Sequence, residues 1–201
     1  MSKAATFDTR TDTAVPVESP LAYSYRRSGA PRGSSYRLKI RERAMLGHLV
    51  LRGGAIVLDE AVRDVLGIGL PGRPQALVHD ASGERSIQWL SPDEWLVIVP
   101  AGEEYPLEIK LRERLADAHF AITDVSGGQT LLELTGEAAR ELLMKTVVYD
   151  VHPSHFPVGK GVTTVFAKAT VNLRRPSEER WELVIRRSFA DYSYRWLLDA
   201  A

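Results

Sequence analysis

The sequence predicts an α+β protein made of two similar halves, each a mainly antiparallel sheet with helices on one face. The same order of elements occurs twice along the chain: a strand, a helix, two strands, an acidic turn with proline, a Trp-led apolar strand and an amphipathic helix. The spacing repeats as well, since Leu132 follows Leu49 by 83 residues and Trp181 follows Trp95 by 86. A near-constant period over this many elements indicates an internal duplication.

Residues 1–40 are predicted to form an extended arm outside the core. They are rich in Ser, Thr, Pro, Gly and Arg and contain few aliphatic residues. Two interpretations stay open, a disordered tail and an arm that orders against a partner. Tyr23, Tyr25 and Tyr36 favour the second, because tyrosine is typical of interfaces. The two halves are then expected to span 41–122 and 123–201.

The first half opens with an apolar strand. The helix after it has Asp59 as its N-cap candidate and carries Val62, Val65 and Leu66 on one face. Leucines at i, i+4 and i+8 then indicate a closing amphipathic helix. In chain order, the predicted elements are strand 48–52, a helix from about 59, strands 75–79, 86–90 and 95–99, and a helix over about 106–118.

The second half repeats this order with one long loop, which is bounded by prolines. Its first helix should turn Ala138, Ala139, Leu142 and Leu143 inward. In chain order, the predicted elements are strand 130–134, a helix over 136–145, the loop 150–160, strands 162–167, 169–174 and 181–185, and a terminal helix.

The start of the terminal helix is predicted from a capping pattern. Ser188 is the N-cap candidate, and Asp191 three residues later completes a variant of the capping box. Phe189, Tyr192 and Trp196 then fall at i, i+3 and i+7, on one stripe of the helix. We expect this aromatic stripe to pack on the protein's own sheet. The alternative is a stripe partly reserved for a partner subunit.

Two adjacent arginines precede that helix, Arg186 and Arg187. Side chains alternate along a strand, so one arginine should face inward and the other outward. A solvated or locally paired arginine is the simpler interpretation, and binding of an anion or of an acidic partner residue is the alternative.

Composition excludes several classes of function. Lys+Arg and Asp+Glu number 26 each, whereas nucleic-acid-binding proteins usually show a basic excess. The absence of cysteine excludes disulfides, thiolate metal sites and cysteine nucleophiles. No apolar run approaches the length of a membrane span, and the polar residues 1–19 do not resemble a secretory signal. We therefore expect a cytoplasmic protein that binds neither nucleic acid nor membrane.

Three segments match or approach chemical motifs, and each has a simpler interpretation. The G-x-G-x-x-G match at 67–72 follows a helix and contains Pro71, so it is predicted to be a helix C-cap and turn. The Gly-rich segment 124–129 is predicted to connect the halves, with a close-approach surface for a ligand or subunit as the alternative. His152 and His155 are predicted to be structural loop residues, with acid–base chemistry as the alternative. No catalytic, cofactor-binding or metal-ligating residue is expected in this chain.

Several segments together resemble one known family, the gamma subunits of heterotetrameric sarcosine oxidases. The resemblance runs from about residue 19 to the C-terminus. The segments that carry it are Ser19-Pro20-Leu21, Leu90-Ser91-Pro92-Asp93-Glu94-Trp95-Leu96, Asp124-Val125-Ser126-Gly127-Gly128, Asp150 with His152-Pro153, Phe156-Pro157 with Gly159, Arg186-Arg187-Ser188-Phe189-Ala190-Asp191-Tyr192, and Trp196-Leu197.

The resemblance implies a non-catalytic structural subunit with the folate-binding aminomethyltransferase fold. In such complexes sarcosine is oxidatively demethylated to glycine, hydrogen peroxide and a one-carbon unit that passes to tetrahydrofolate. The implied partners are the alpha, beta and delta subunits, and FAD, FMN, NAD, tetrahydrofolate and zinc are expected in those subunits, with no cofactor in this chain. An alternative is a stand-alone tetrahydrofolate or one-carbon binding protein of the same fold, with Arg186 or Arg187 pairing with folate carboxylates. Related folate-binding repair proteins carry a cysteine in their signature loop, and this chain has none.

Overall fold

The computed structural model describes residues 17–28 and 37–201. Within these ranges it contains five α-helices and ten strands. The helices are α1 (Ala22–Ser28), α2 (Ala55–Leu66), α3 (Glu104–Leu115), α4 (Ala139–Thr146) and α5 (Ala190–Ala200). The strands are β1 (Lys39–Arg43), β2 (Gly47–Gly53), β3 (Leu77–His79), β4 (Ser86–Ser91), β5 (Glu94–Val99), β6 (Phe120–Asp124), β7 (Gln129–Thr135), β8 (Lys160–Phe166), β9 (Ala169–Ser177) and β10 (Arg180–Arg186). Short 3-10 turns at Ser126–Gly128 and Arg187–Phe189 precede β7 and α5.

The ten strands form two five-stranded sheets whose neighbouring strands all pair antiparallel. The first sheet has the order β3-β4-β5-β2-β6, and the second has the order β8-β9-β10-β7-β1. The two orders are equivalent position by position, as a duplication requires. The predicted α+β class with two antiparallel sheet-plus-helix units is confirmed.

The two sheets exchange one edge strand each. Strand β1 precedes β2 in the chain but pairs with β7 of the second sheet, and β6 precedes β7 but pairs with β2 of the first. Each repeat therefore begins with a strand that completes the sheet of the other repeat. Neither β1 nor β6 is among the predicted strands, so the sequence pattern does not reveal this exchange.

Both exchanged strands are covered at their outer edge by a side chain. The main-chain N–H of Glu42 in β1 donates to the hydroxyl of Tyr25 in α1 at 3.0 Å. The Arg112 guanidinium in α3 donates to the main-chain oxygen of Ile122 in β6 at 3.0 Å and lies over the Phe120 ring. Open strand edges invite pairing with other chains, so these contacts protect the fold from edge-to-edge association.

The helices cover the outer faces of the sheets, and the inner faces pack on each other. Helices α2 and α3 bury Val62 and Leu111 against the first sheet, and α4 and α5 cover the second. Between the sheets lies a small apolar cluster that includes Leu96, Leu131 and Val184. The result is four layers, helices, sheet, sheet and helices, which bury three apolar clusters.

A polar row crosses the layer between the sheets. In the second sheet Arg174 lies opposite both Gly161 and Glu182 in the strand register, and its guanidinium contacts the Glu182 carboxylate at 2.8 Å. The same guanidinium donates to the Ser86 hydroxyl of the first sheet at 2.7 Å, although both charged side chains are almost fully buried. Gly161 leaves room for the Gln88 side chain, which a Cβ at that position would meet at 2.8 Å. Polar contacts therefore join the two sheets face to face.

Part of the predicted arm belongs to the core, which differs from the prediction. Leu21 is fully buried in the cluster under the second sheet, and Tyr25 stacks edge-on against Tyr194 of α5 at 5.4 Å. The Ser24 hydroxyl also donates to the Asp191 carboxylate of α5. Helix α1 is therefore packed on the second repeat. Residues 1–16 and 29–36, including Tyr36, lie outside the described residues.

Two predicted helix caps are wrong. Helix α2 begins at Ala55 with Gly54 as its N-cap, so Asp59 lies inside the helix, where it accepts from the N–H of Leu70 at 2.7 Å. Helix α5 begins after the 3-10 turn that contains Ser188, and its N-cap residue is Phe189, which makes no side-chain capping bond. In the described ranges, no helix combines the length and apolar character needed to cross a membrane.

Candidate functional sites: a cleft between the two sheets and an aromatic stripe on the C-terminal helix

The three motif-like segments take the simpler structures predicted for them. Gly67 has φ 72° at the end of α2, and its N–H donates to the carbonyl of Arg63, as expected of a helix C-cap. The segment 124–129 forms the 3-10 connection between β6 and β7. His152 and His155 lie exposed in the loop after α4. Within the described part of the chain, no group of three or more His, Asp and Glu side chains could hold a metal ion.

Two of the segments that carry the family resemblance meet at one end of the second sheet. Arg187 in the turn before α5 donates to the main-chain oxygen of Gly127 at 3.2 Å. Ser126 in the same connection accepts from the N–H of His48 at 2.9 Å, and Asp124 accepts from the N–H of Ser126 at the same distance. Hydrogen bonds therefore hold the connection between the repeats to both sheets.

A third segment joins them at the mouth of the layer between the sheets. The β4–β5 turn supplies Leu90 and Glu94 to a cleft of about 300 Å³, and the second sheet supplies Gln129, Asn172 and Arg186. Arg186 and Gln129 are paired in the β10–β7 register, two residues beyond Val184 and on the same face of the sheet. The cleft is therefore lined by two of the family-like segments and by Gln129, which directly follows the third.

The prediction that one arginine of the pair Arg186-Arg187 faces inward is wrong. Both are exposed, because β10 ends at Arg186 and the chain enters the 3-10 turn at Arg187. The alternation of a strand no longer applies across that boundary. Arg186 points to the cleft, while Arg187 holds the neighbouring connection.

The aromatic stripe does not pack on the protein's own sheet, so that prediction is also wrong. Phe189 and Trp196 are each 41% exposed, and the rings of Tyr192 and Trp196 lie 5.8 Å apart on the same side of α5. The buried face of the helix is instead formed by Ala190, Ser193, Tyr194 and Leu197. An aromatic surface of this kind, partly solvent-exposed on a well-packed helix, is typical of protein interfaces.

The two most buried histidines are His48, which is 1% exposed, and His79, which is half-buried. Burial lowers the pKa of His48 to about 4, and the nearby Arg174 charge acts in the same direction. The pKa of His79 is likewise lowered to about 4, chiefly by burial. The His48 ring donates from Nδ1 to the carbonyl of Leu46 at 2.9 Å, which fixes its neutral tautomer. Both residues therefore serve as neutral parts of the layer between the sheets.

The sequence motifs include some of the residues that line the cleft, but not the cleft itself. They do not indicate that Glu94, Gln129, Asn172 and Arg186 line one cleft. The available signal was the strand alternation, since all of these positions lie on the faces opposite the buried tryptophans Trp95 and Trp181. Assigning them to one site needs the packing of one sheet on the other, which alternation does not specify.

The arrangement of two face-to-face antiparallel sheets with outer helices defines the class of protein. It is similar to the glycine cleavage system aminomethyltransferase T from Bartonella henselae, with a TM-score of 0.65 over 89% of this chain and 56% of that chain. The two sequences are 12% identical, so this likeness shows the fold alone. The predicted likeness to the aminomethyltransferase fold is thereby confirmed.

Sequence comparison gives the family. The model of the sarcosine oxidase gamma subunit family matches residues 53–201. Sarcosine oxidase subunit gamma of Corynebacterium sp. (strain P-1) is 37% identical over 148 residues, which are 74% of this chain and 70% of the relative. The subunit of the same name from Arthrobacter sp. is 34% identical and matched over 77% of this chain and 80% of its own length. The chain belongs to the sarcosine oxidase gamma subunit family.

A solved complex agrees with that assignment. A chain of the heterotetrameric sarcosine oxidase from Corynebacterium sp. U-96, in complex with pyrrole 2-carboxylate, superposes with a TM-score of 0.81 at 30% identity. The match covers 92% of this chain and 94% of that chain. The predicted resemblance to this family is confirmed.

Proposed function

We propose that this chain is the gamma subunit of a heterotetrameric sarcosine oxidase, in which it has a structural and non-catalytic role. The observation that carries the proposal is the partly exposed aromatic stripe of Phe189, at the start of α5, with Tyr192 and Trp196 on the helix. All three residues lie in segments that resemble the family. The stripe supports assembly because aromatic side chains that are held on a rigid helix lose little entropy on association.

The surroundings of the stripe support an interface in the same way. Phe189 and Tyr192 stack with ring centres 6.5 Å apart, so the stripe is a continuous set of rings and not three isolated side chains. Helix α5 is fixed from beneath by Leu197 and Tyr194, both almost fully buried. Helix α1 packs against α5 through the contact of Tyr25 with Tyr194, and its Tyr23 is a further exposed aromatic residue. An interface of aromatic anchors on a rigid support matches the usual distribution of binding energy.

The partners in this proposal are the alpha, beta and delta subunits of the oxidase, in the cytoplasm. The complex would convert sarcosine to glycine, hydrogen peroxide and a one-carbon unit carried by tetrahydrofolate. FAD, FMN, NAD, tetrahydrofolate and zinc would be bound by the other subunits, and this chain would supply no catalytic group. The ionisable side chains buried in the described residues support this division, since Arg174 and Glu182 pair with each other between the sheets.

Co-expression with the three other subunits tests the proposal. Wild-type chain should co-purify with them, and the double variant Phe189→Ala/Trp196→Ala should be lost from the complex while it stays folded. Truncation of aromatic interface anchors costs about 2–4 kcal/mol each, or a factor of roughly 30 to 1,000 in affinity. Ile56→Ala is the matched control, because Ile56 is 79% exposed on α2, outside the stripe.

Two results would contradict the proposal. One is full activity and stability of the other three subunits when this chain is omitted. The other is equal loss of assembly for the control variant and the double variant. A monomeric chain that binds tetrahydrofolate in a calorimetric titration, without affinity for the other subunits, would favour the alternative of a stand-alone folate-binding protein.

A further inference from the structure

Two charged side chains of opposite sign face the cleft between the sheets without pairing. Glu94 at the start of β5 and Arg186 at the end of β10 both line the cleft, and neither forms an ion pair within the described residues. Arg52 lies opposite Glu94 in the β2–β5 register and interacts with its charge, but the Arg52 guanidinium is hydrogen-bonded to Asp93 at 2.9 Å and forms no ion pair with Glu94. The cleft therefore presents one cationic and one anionic group that are free to contact a ligand.

The floor of the cleft comes from adjacent rows of the second sheet. One row contains Thr163, Asn172 and Val184, which are successive partners in the strand register. The next row contains Arg186 and Gln129. The Thr163 hydroxyl donates to the Asn172 amide oxygen at 2.8 Å, which fixes the Asn172 side chain and leaves its amide N–H groups available. The floor is therefore partly apolar and partly hydrogen-bonding.

The side-chain oxygen of Gln129, which lines the cleft, is buried and has no hydrogen-bond partner within the described residues. A buried acceptor without a donor is costly, so such groups normally meet a water or a ligand. Gln129 and Glu94 therefore both require N–H donors, whereas Arg186 requires an acceptor.

We propose that this cleft binds a small zwitterionic α-amino acid, with the carboxylate on Arg186 and the ammonium group between Glu94 and the Gln129 amide oxygen. Leu90 and Val184 would contact the small apolar part of the ligand. A volume of about 300 Å³ lies at the lower end of the range for small-molecule sites and leaves ample room for an amino acid. The proposal goes beyond assembly of the oxidase, and it concerns a site that the subunit carries in its own fold.

Titration of the full-length chain with three probes tests this proposal. Glycine carries both charges, acetate carries the carboxylate alone, and methylamine carries the ammonium group alone. Amide resonances of Gln129, Asn172 and Arg186 should shift with glycine in ¹⁵N-labelled protein. Acetate and methylamine should each bind at least about tenfold more weakly than glycine, since each loses one set of charged hydrogen bonds.

Variants identify the residues. Glu94→Gln and Arg186→Gln should each weaken glycine binding at least about tenfold. Neither side chain is engaged in an ion pair, so the unfolding midpoint should be unchanged and the loss can be assigned to the site. Arg140→Gln is the control, because Arg140 is an exposed arginine of α4 in the outer helical layer and does not line the cleft. It should leave glycine binding within about twofold of wild type.

Three results would overturn the proposal. Binding of acetate as tight as that of glycine would define an anion site without a role for Glu94. An equal loss on Arg140→Gln would mean a diffuse charge effect. The absence of any shift at the cleft with glycine up to about 100 mM would mean that no such site exists.

Discussion

The buried pair between Arg174 and Glu182 predicts an asymmetric response to mutation. Their side chains are 2% and 1% exposed and meet at 2.8 Å. Breaking a buried pair by removing one partner leaves an uncompensated charge and costs about 3–5 kcal/mol, although the intact pair adds little net stability. The cost of each single substitution therefore depends on which other charges can reach the group left behind.

The surroundings of the two groups differ. If Glu182 loses its charge, Arg174 is left with neutral acceptors such as the Ser86 hydroxyl, and its Nε and Nη1 atoms have no hydrogen-bond partner in the structure. If Arg174 is removed, the Glu182 carboxylate still has Arg180 at 3.7 Å and Arg43 at 4.0 Å. Both of these arginines are partly exposed. Glu182→Gln should therefore destabilise the protein by about 3–5 kcal/mol, and Arg174→Met by about 1–2 kcal/mol.

Equilibrium unfolding in urea at pH 7, followed by the fluorescence of the buried Trp95 and Trp181, measures both losses. The double variant Arg174→Met/Glu182→Gln should be more stable than Glu182→Gln alone, because it leaves no buried unpaired cation. The double-mutant cycle should give a coupling energy of about 2–3 kcal/mol. If Arg174→Met costs as much as Glu182→Gln, or if both cost less than about 1 kcal/mol, the reasoning from these neighbouring charges is refuted.

Two further predictions concern single residues in the layers described above. His48 has its pKa lowered to about 4 by burial, whereas an unfolded histidine titrates near 6.5, so the stability it contributes is full above pH 6.5 and is lost as the pH falls toward 4. The loss amounts to about 3 kcal/mol of unfolding free energy. A His48→Gln variant should therefore show a correspondingly weaker dependence of the unfolding free energy on pH. Parallel plots of unfolding free energy against pH for the wild type and the variant would contradict this prediction. Gly136 has φ 110°, and an added Cβ would overlap the carbonyl oxygen of Arg37, so Gly136→Ala should cost about 2–4 kcal/mol in thermal unfolding. Gly83→Ala, at φ 73° with open space around the position, is the matched control and should cost about 1 kcal/mol. Equal losses for the two variants would mean that backbone strain, and not overlap with the Arg37 carbonyl, sets the cost of Gly136→Ala.

The duplicated element order could be predicted from sequence because it depends on local periodicity. Leucine spacing specifies α3, and the Trp-led apolar runs specify β5 and β10 within one or two residues. The exchange of β1 and β6 could not be predicted, because the partner of an edge strand depends on the distant chain that it meets. Alternation identifies a strand face, and it contains no information on which sheet the strand completes.

The C-terminal helix α5 shows why a helix can be predicted from sequence while the wrong face of it is predicted to be buried. Two stripes compete on α5, an aromatic one that contains Trp196 and one that combines Ala190, Ser193 and Leu197 with Tyr194. The aromatic stripe has the larger apolar area, which favours burial in a calculation of transfer free energy alone. The second stripe is buried instead, because its small residues let the helix approach α4 and the sheet closely.

The strand exchange connects this orientation to the candidate sites. Because β1 and α1 belong to the second sheet, the outer face of that sheet is covered by α1, α4 and α5 together, and Tyr25 fills the space beside Tyr194 that an aromatic ring of α5 would otherwise occupy. The aromatic stripe is then left on the outside, next to Arg187 and the connection between the repeats. The same connection places Gln129 at the floor of the cleft. One topological feature, the crossing of each first strand to the other sheet, thus exposes the stripe proposed for assembly and shapes the cleft proposed for ligand binding.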